Sequence, residues 1–351
     1  MSLSFCNISH SYGDTEVLRD VDLVTNESEI TCLLGPSGSG KSTLLHLAAG
    51  LMQVQTGSIS IGDKLLASPE LNPPPEQRPI GLMFQENALF PNMTVAQNIA
   101  FGLDGQEPSD IENRVVMLLE MIGLAGYGSR LPHQLSGGQQ QRVTLARSLA
   151  PTPRVLLMDE PYANIDVTLR RVLREAARKA LRDSGTTTVL VTHDPDEALE
   201  MGDRIAVLDQ GKIMQLDTPQ QIYQQPESAM VAKLFGGAQS LQASMQQDQL
   251  HTEYGPITCG RAVRLPSEKQ CELVFRPEGL AVAKDDHSQL RISDLRFLGN
   301  SWLALLLPEN APTSLSPLRA RLELNHELAS GDRVSLAARP EGFYCFNLNQ
   351  E

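Results

Sequence analysis

A chain of 351 residues is longer than one ordinary core supports, so two domains are expected, or three. Its 41% hydrophobic and 20% charged residues are those of a folded globular protein. The net charge of −13, from 29 basic and 42 acidic side chains, lacks the diffuse basic field of a nucleic-acid binder, so no nucleic-acid partner is expected. No stretch approaches the ~18–20 apolar residues that cross a bilayer, and the apolar run Trp302 to Leu307 is only strand-length. The opening Met1-Ser-Leu-Ser-Phe-Cys6 lacks the basic and apolar regions of a signal peptide. The five cysteines (Cys6, Cys32, Cys259, Cys271, Cys345) are odd in number and form no Cys-x-x-Cys pair. They read as reduced core residues of a cytosolic protein.

In chain order, the first candidate is Tyr12, one of six tyrosines, in the turn His10-Ser-Tyr-Gly-Asp14. Its ring suits stacking on adenine, with a core tyrosine as the alternative. Ile30 to Leu34 reads as a buried strand, and Lys41 to Leu51 as a helix with Leu44, Leu45, Leu47 and Ala48 inward. Between them lies Gly35-Pro36-Ser37-Gly38-Ser39-Gly40-Lys41-Ser42, followed by Thr43. Strand, glycine loop and helix start are the context in which backbone N–H groups converge on phosphate oxygens. A nucleoside triphosphate is therefore the expected ligand. Lys41 is placed to bridge the β- and γ-phosphates, and the Ser42 hydroxyl to ligate Mg²⁺.

The run Ile80 to Phe84 ends at Gln85, a candidate sensor of γ-phosphate and metal. Thr94 to Leu131 is helical in pattern, broken at Gly102–Gly105 and Gly123–Gly128, and reads as a helical lobe spanning about 86–150. Leu135-Ser136-Gly137-Gly138-Gln139 then opens a helix expected from Gln139 to Leu149, whose unsatisfied first N–H groups make a second anion site. Val155 to Met158 is an apolar strand followed by Asp159, a second metal ligand, and Glu160, whose carboxylate would polarise the attacking water. Past Pro161, the segment Ala163-Asn164-Ile165-Asp166 precedes a helix from Leu169 to Leu181. The strand Thr187 to Thr192 ends at His193, placed to donate to the γ-phosphate and orient Glu160; Asp194 to Ala198 begins another helix.

After Phe235 the style changes. Gly236-Gly237 and a Gln- and Ser-rich stretch to Gln249 read as an interdomain linker. Beyond it come short β runs: Cys271 to Phe275, Leu290 to Phe297, Trp302 to Leu307, Ala320 to Leu324 and Arg333 to Ala338. They suggest a small barrel or sandwich. Arg276-Pro-Glu-Gly279 recurs as Arg339-Pro-Glu-Gly342, two equivalent strand-to-turn corners, either turn chemistry reused or a ligand site. The expected fold is thus α/β: a P-loop NTPase core over 1–236 with an inserted helical subdomain, then an all-β barrel-like domain over 237–351.

One chain carries one phosphate loop and one second anion site, so two chains facing head to tail would place each triphosphate between the loop of one and the Ser136–Gln139 segment of the other. Asp166 would sit at that interface. In Tyr12, the phosphate loop, Gln85, Leu135 to Gln139, Asp159-Glu160 and His193, the chain resembles the ATP-binding subunits of ABC transporters. Asn164-Ile165 departs from the Ala-Leu wording the family more often shows there. Phe275-Arg-Pro-Glu278 and Arg296-Phe-Leu-Gly-Asn300 are similar to the C-terminal β domain of importer ATPases for maltose, polyamines, sulfate and ferric iron. The short C-terminal domain and Tyr162-Ala-Asn-Ile-Asp166 look most like the ferric-iron importers. The resemblance implies an ATPase using ATP and Mg²⁺, a homodimer, two integral membrane permease subunits and an extracytoplasmic substrate-binding protein. It also implies a peripheral location on the cytoplasmic face of the inner membrane. The rival readings are a non-transport ATPase acting on DNA or ribosomes, disfavoured by the short insert and acidic balance, and an exporter subunit, disfavoured by the appended β domain.

Overall fold

A computed structural model describes residues 1–84, 89–163, 167–246, 249–260 and 270–347. Gln85 and Asp166, like Asn164 and Ile165, lie outside the described residues. The chain forms two compact units, 1–219 and 220–351.

Among the described residues the first unit holds ten strands: β1 (Leu3–Tyr12), β2 (Thr15–Thr25), β3 (Ile30–Leu34), β4 (Thr56–Ile61), β5 (Lys64–Ala67), β6 (Ile80–Met83), β7 (Val155–Asp159), β8 (Thr187–Thr192), β9 (Arg204–Asp209) and β10 (Lys212–Asp217). Its helices are α1 (Lys41–Ala49), α2 (Val95–Ala100), α3 (Pro108–Met121), α4 (Gly137–Leu149), α5 (Val167–Ser184) and α6 (Pro195–Met201). Strands β1, β2, β4 and β5 make an antiparallel sheet in the order β2-β1-β4-β5. The others form a sheet ordered β10-β9-β3-β8-β7-β6, parallel except for the edge strand β10. Every residue of β3 and β8 is buried, as expected of apolar runs covered on both faces. One core joins the two sheets through Leu3, Phe5, Ile59, Leu33, Leu44, Leu157 and Val191.

Register fixes where chemistry can occur. Leu34 on β3 lies beside Thr192 on β8, and Asp159 on β7 lies beside Val191. Gly35, His193 and Glu160 therefore leave three adjacent strands from one line at the carboxyl edge of the sheet, where open α/β sheets bind ligands. The end of α1 is held by Arg78, which is 6% exposed. It donates from Nη1 to Leu47 O and Ala48 O at 2.8 Å each, from Nε to Pro73 O at 2.9 Å, and from Nη2 to Asn72 Oδ1 at 3.0 Å. Arg78→Met keeps the stem and strands these acceptors. It should destabilise the unit by about 3 kcal/mol, read as a lower urea midpoint with unchanged slope.

The second unit begins with α7 (Pro219–Gln224) and α8 (Ala229–Lys233). Its strands are β11 (Gln239–Gln246), β12 (Gln249–Thr252), β13 (Gly255–Cys259), β14 (Gln270–Phe275), β15 (Leu280–Lys284), β16 (Leu290–Phe297), β17 (Trp302–Pro308), β18 (Leu318–Leu322), β19 (Val334–Ala338) and β20 (Phe343–Asn347). A seven-stranded sheet runs β15-β19-β13-β12-β11-β14-β20, and a three-stranded sheet runs β16-β17-β18. The expected linker at 236–249 is corrected here, because Gln239–Gln246 is a strand paired with both β12 and β14. Leu241 and Ala243 are buried while the intervening glutamines and serines are on the other face. Amide-rich composition masked that period-two alternation. The two Arg-Pro-Glu-Gly copies form corners that pair reciprocally: Arg276 N donates to Gly342 O at 2.8 Å and Arg339 N to Gly279 O at 2.9 Å. Arg276 is 1% exposed, lies 3.5 Å over the Tyr223 ring, and donates to Tyr344 Oη and Tyr223 O. Both copies thus form backbone corners, and the first carries a buried arginine pin.

Candidate functional site: the phosphate loop and the strand ends around it

Local sterics select glycine at two loop positions. A Cβ on Gly35 would stand 2.0 Å from Leu208 O. Gly40 caps α1 at φ 105°, and its Cβ would meet Leu18 Cδ2 at 2.6 Å and Val17 O at 2.9 Å. Only a bare backbone threads between β2 and α1 there. Behind the loop, Lys41 is largely buried and its Nζ donates to Gly35 O at 3.0 Å and Pro36 O at 2.8 Å. Burial lowers its pKa, opposed by the nearby Glu160 and Asp159 carboxylates. The ammonium is thus held across the loop it serves, among groups that favour its charge. Ser37 is exposed and Ser39 buried within the same loop.

Ser42 Oγ donates to Asp159 Oδ1 at 3.2 Å. This brings together the two expected metal ligands, one hydroxyl and one carboxylate, the hard oxygen donors that magnesium takes alongside phosphate and water. Burial raises the pKa of Asp159, against the Ser42 hydrogen bond and His46. His46 Nε2 stands 3.9 Å from Asp159 Oδ2. Reading the sequence missed His46, because only the wrap of α1 over β7 brings it there. Among the described residues no group of three or more His, Cys, Asp or Glu side chains could hold a metal ion.

Glu160 leaves β7 at φ 42°, uncommon for a non-glycine residue, with its N–H donating to Val191 O at 3.0 Å. That conformation costs of order 1 kcal/mol and turns the carboxylate along the sheet edge. Glu160 Oε2 lies 3.1 Å from His193 Nδ1, so the two residues singled out from separate strand ends meet. Thr43 Oγ1 lies 3.4 Å from Tyr12 Oη, which also donates to Met52 Sδ at 3.3 Å. Tyr12 ends β1 rather than lying in the turn, and at 51% exposed it is no core tyrosine.

The Ser136–Gln139 segment is a capping box. Ser136 Oγ accepts from Gln139 N at 3.4 Å, and Gln139 Oε1 accepts from Ser136 N at 3.0 Å. The helix starts at Gly137, two residues earlier than expected. Gly137 is exposed and a Cβ there would meet nothing within 4 Å, while Gly138 is buried. Further along α4, Gln141 Nε2 donates to Pro161 O, tying this helix to the turn that carries Asp159 and Glu160.

The ABC transporter family model matches residues 18–163. The Fe(3+) ions import ATP-binding protein FbpC of Pseudomonas fluorescens is 37% identical over 336 residues, 94% of this chain and 94% of that protein. The spermidine/putrescine import ATP-binding protein PotA of Pseudomonas aeruginosa is 38% identical over 323 residues, 88% of each chain. The sulfate/thiosulfate import protein CysA of Gloeobacter violaceus is 46% identical over 243 residues, 69% of this chain and 70% of that one. Among solved structures, a dimeric post-hydrolysis state of the ATP-binding cassette MJ0796 with ADP and Pi is 30% identical with a TM-score of 0.52, covering 62% of this chain and 98% of that one. With the phosphate loop, the capping-box segment and the Glu160–His193 pair on one fold, and relatives matched nearly end to end, the chain belongs to the ABC transporter family, among its import ATP-binding proteins.

Proposed function

We propose that this ATPase energises a ferric-iron importer, working as a homodimer against two integral membrane permease subunits fed by an extracytoplasmic substrate-binding protein. The carrying observation is that the FbpC likeness extends through both units. Among the described residues no helix is long and apolar enough to cross a membrane, in keeping with a peripheral subunit at the cytoplasmic face. The first unit is the ATPase, with its helical lobe facing the permeases. The β-rich unit, which carries none of the nucleotide motifs, stabilises the dimer or receives a regulatory signal.

Two copies bind two ATP, close, and exclude water, so closure completes the site and hydrolysis reopens it. Backbone N–H groups from Gly35 to Thr43, including Ser37, Gly38, Ser39 and Gly40, cradle the phosphates. Lys41 holds the β- and γ-phosphates, and Tyr12 offers its exposed face to adenine. Ser42 and Asp159, with Gln85, would hold Mg²⁺, which supplies charge neutralisation between the phosphates when bound. Glu160 takes the proton of the attacking water, and His193 orients Glu160 and donates to the γ-phosphate. From the opposite chain, Ser136, Gly137, Gly138 and Gln139 close over the γ-phosphate beside Asp166.

The test is uptake. In a strain lacking its own iron importer, this chain with its neighbouring permease genes should restore radiolabelled ferric uptake, and Lys41→Ala should abolish it. A second reading, sulfate or polyamine import, is favoured by the CysA and PotA likenesses. Restoration of those cargoes without iron would replace the first reading by the second.

A further inference from the structure

Behind the Glu160–His193 pair lies a polar network that the proposed chemistry does not use. Arg174 on α5 is 6% exposed, and its Nη2 donates to Asp194 Oδ2 at 2.5 Å and to Glu197 Oε2 at 3.1 Å. Nη1 reaches Glu200 Oε2 at 3.3 Å. Asp194 directly follows His193, and both of its oxygens are committed. Oδ1 accepts from the N–H groups of Asp196 at 3.0 Å and Glu197 at 3.4 Å, while Oδ2 takes Arg174 and, at 3.3 Å, Arg170. The strand-to-helix turn carrying His193 is therefore pinned from α5.

Glu197 is 3% exposed; its Oε2 accepts from Arg174 and its carboxylate also draws on the Thr192 hydroxyl, which leaves lone pairs on Oε1 for a further donor. The hydroxyl of Tyr162, 2% exposed, is buried with no hydrogen-bond partner among the described residues. Both residues line a cavity of about 30 Å³, together with Glu160, Thr192, His193 and Asp194. That volume and polarity suit a bound water, which needs at least two polar partners.

We propose that Glu197 is a positioning residue for hydrolysis: through Arg174 and Asp194 it fixes where His193 stands against Glu160, and its Oε1 and the Tyr162 hydroxyl hold a water behind that pair. The inference rests on the reading of Glu160 as base and His193 as its orienting partner. Other groups facing Glu197 are the buried Cys32 thiol on β3, the Asp194 carboxylate on its own helix and the Thr192 hydroxyl on β8. Burial pushes Glu197 up to about 7 despite the pull of Arg174, so it changes charge across the neutral range. When ionised it competes with Asp194 for Nη2 of Arg174, loosening the His193 turn.

The experiment measures MgATP turnover of the full-length protein from pH 6 to 8. Wild type should show a fall in kcat as pH rises through about 7. Glu197→Gln, locked neutral, should lose that step with KM for ATP unchanged. Glu197→Ala and Arg174→Met should lower kcat about tenfold, and Arg174→Lys should recover part of the loss. Unaltered thermal melting of the Gln variant shows that its effect is not unfolding. Wild-type kcat and pH profile in both Glu197 variants, beside an inactive Glu160→Gln, would overturn the inference alone. Normal turnover in Glu160→Gln would overturn the underlying reading instead.

Discussion

Glu160→Gln should lower ATP turnover at least about 100-fold while leaving ATP binding and ATP-driven pairing of subunits intact. The substitution is nearly isosteric at a residue whose backbone sits at φ 42°, so a side chain of equal length leaves the turn strain unchanged. It removes the one property a base requires, an anionic oxygen, from a position 3.1 Å from His193 Nδ1. Removing a negative charge close to Lys41 also lessens repulsion toward a triphosphate, so nucleotide affinity should hold or rise. Phosphate release and analytical ultracentrifugation, each with and without MgATP, separate the two effects. Turnover within a few-fold of wild type would remove Glu160 from the role of base.

The parts of the site legible in the sequence share one property: their geometry is set within a few residues. The glycine loop lies between a buried strand and a helix start, so its phosphate-binding shape follows from local sterics at Gly35 and Gly40. Asp159, Glu160 and His193 follow apolar runs that had to be central strands, and parallel register alone then brings them together. What the sequence hid depends on distant segments meeting. His46 looked like one more residue of an amphipathic helix, until the packing of α1 placed it 3.9 Å from Asp159. Arg174 and Glu197, 23 positions apart, looked like ordinary charges on two helix surfaces, yet their 3.1 Å contact is almost fully buried. Gln239–Gln246 hides its strand character because its exposed face is amide-rich and its inward face offers just the small apolar set Leu241, Ala243 and the partly buried Met245.

The largest expected effect from the smallest structural disturbance is at Gly137. Within one subunit a side chain there is free: the Cβ would meet nothing within 4 Å, and valine in place of glycine at a helix start is no worse in propensity. Gly137→Val should therefore leave melting temperature and single-subunit ATP affinity unchanged. It should nonetheless lower turnover at least about 100-fold, because in the proposed closed pair the valine would stand where the other subunit's γ-phosphate approaches the helix N-terminus. Mixing with Lys41→Ala makes the test decisive. Each variant alone gives dimers with two damaged sites. A dimer with one chain of each carries both lesions at one site and none at the other, if every site is built from the loop of one chain and the capping box of its partner. Random pairing then leaves about a quarter of all sites intact, and turnover should return on mixing two nearly inactive proteins. Should the mixture stay as inactive as its components while heterodimers form, each subunit must complete its own site and the shared-pocket mechanism fails.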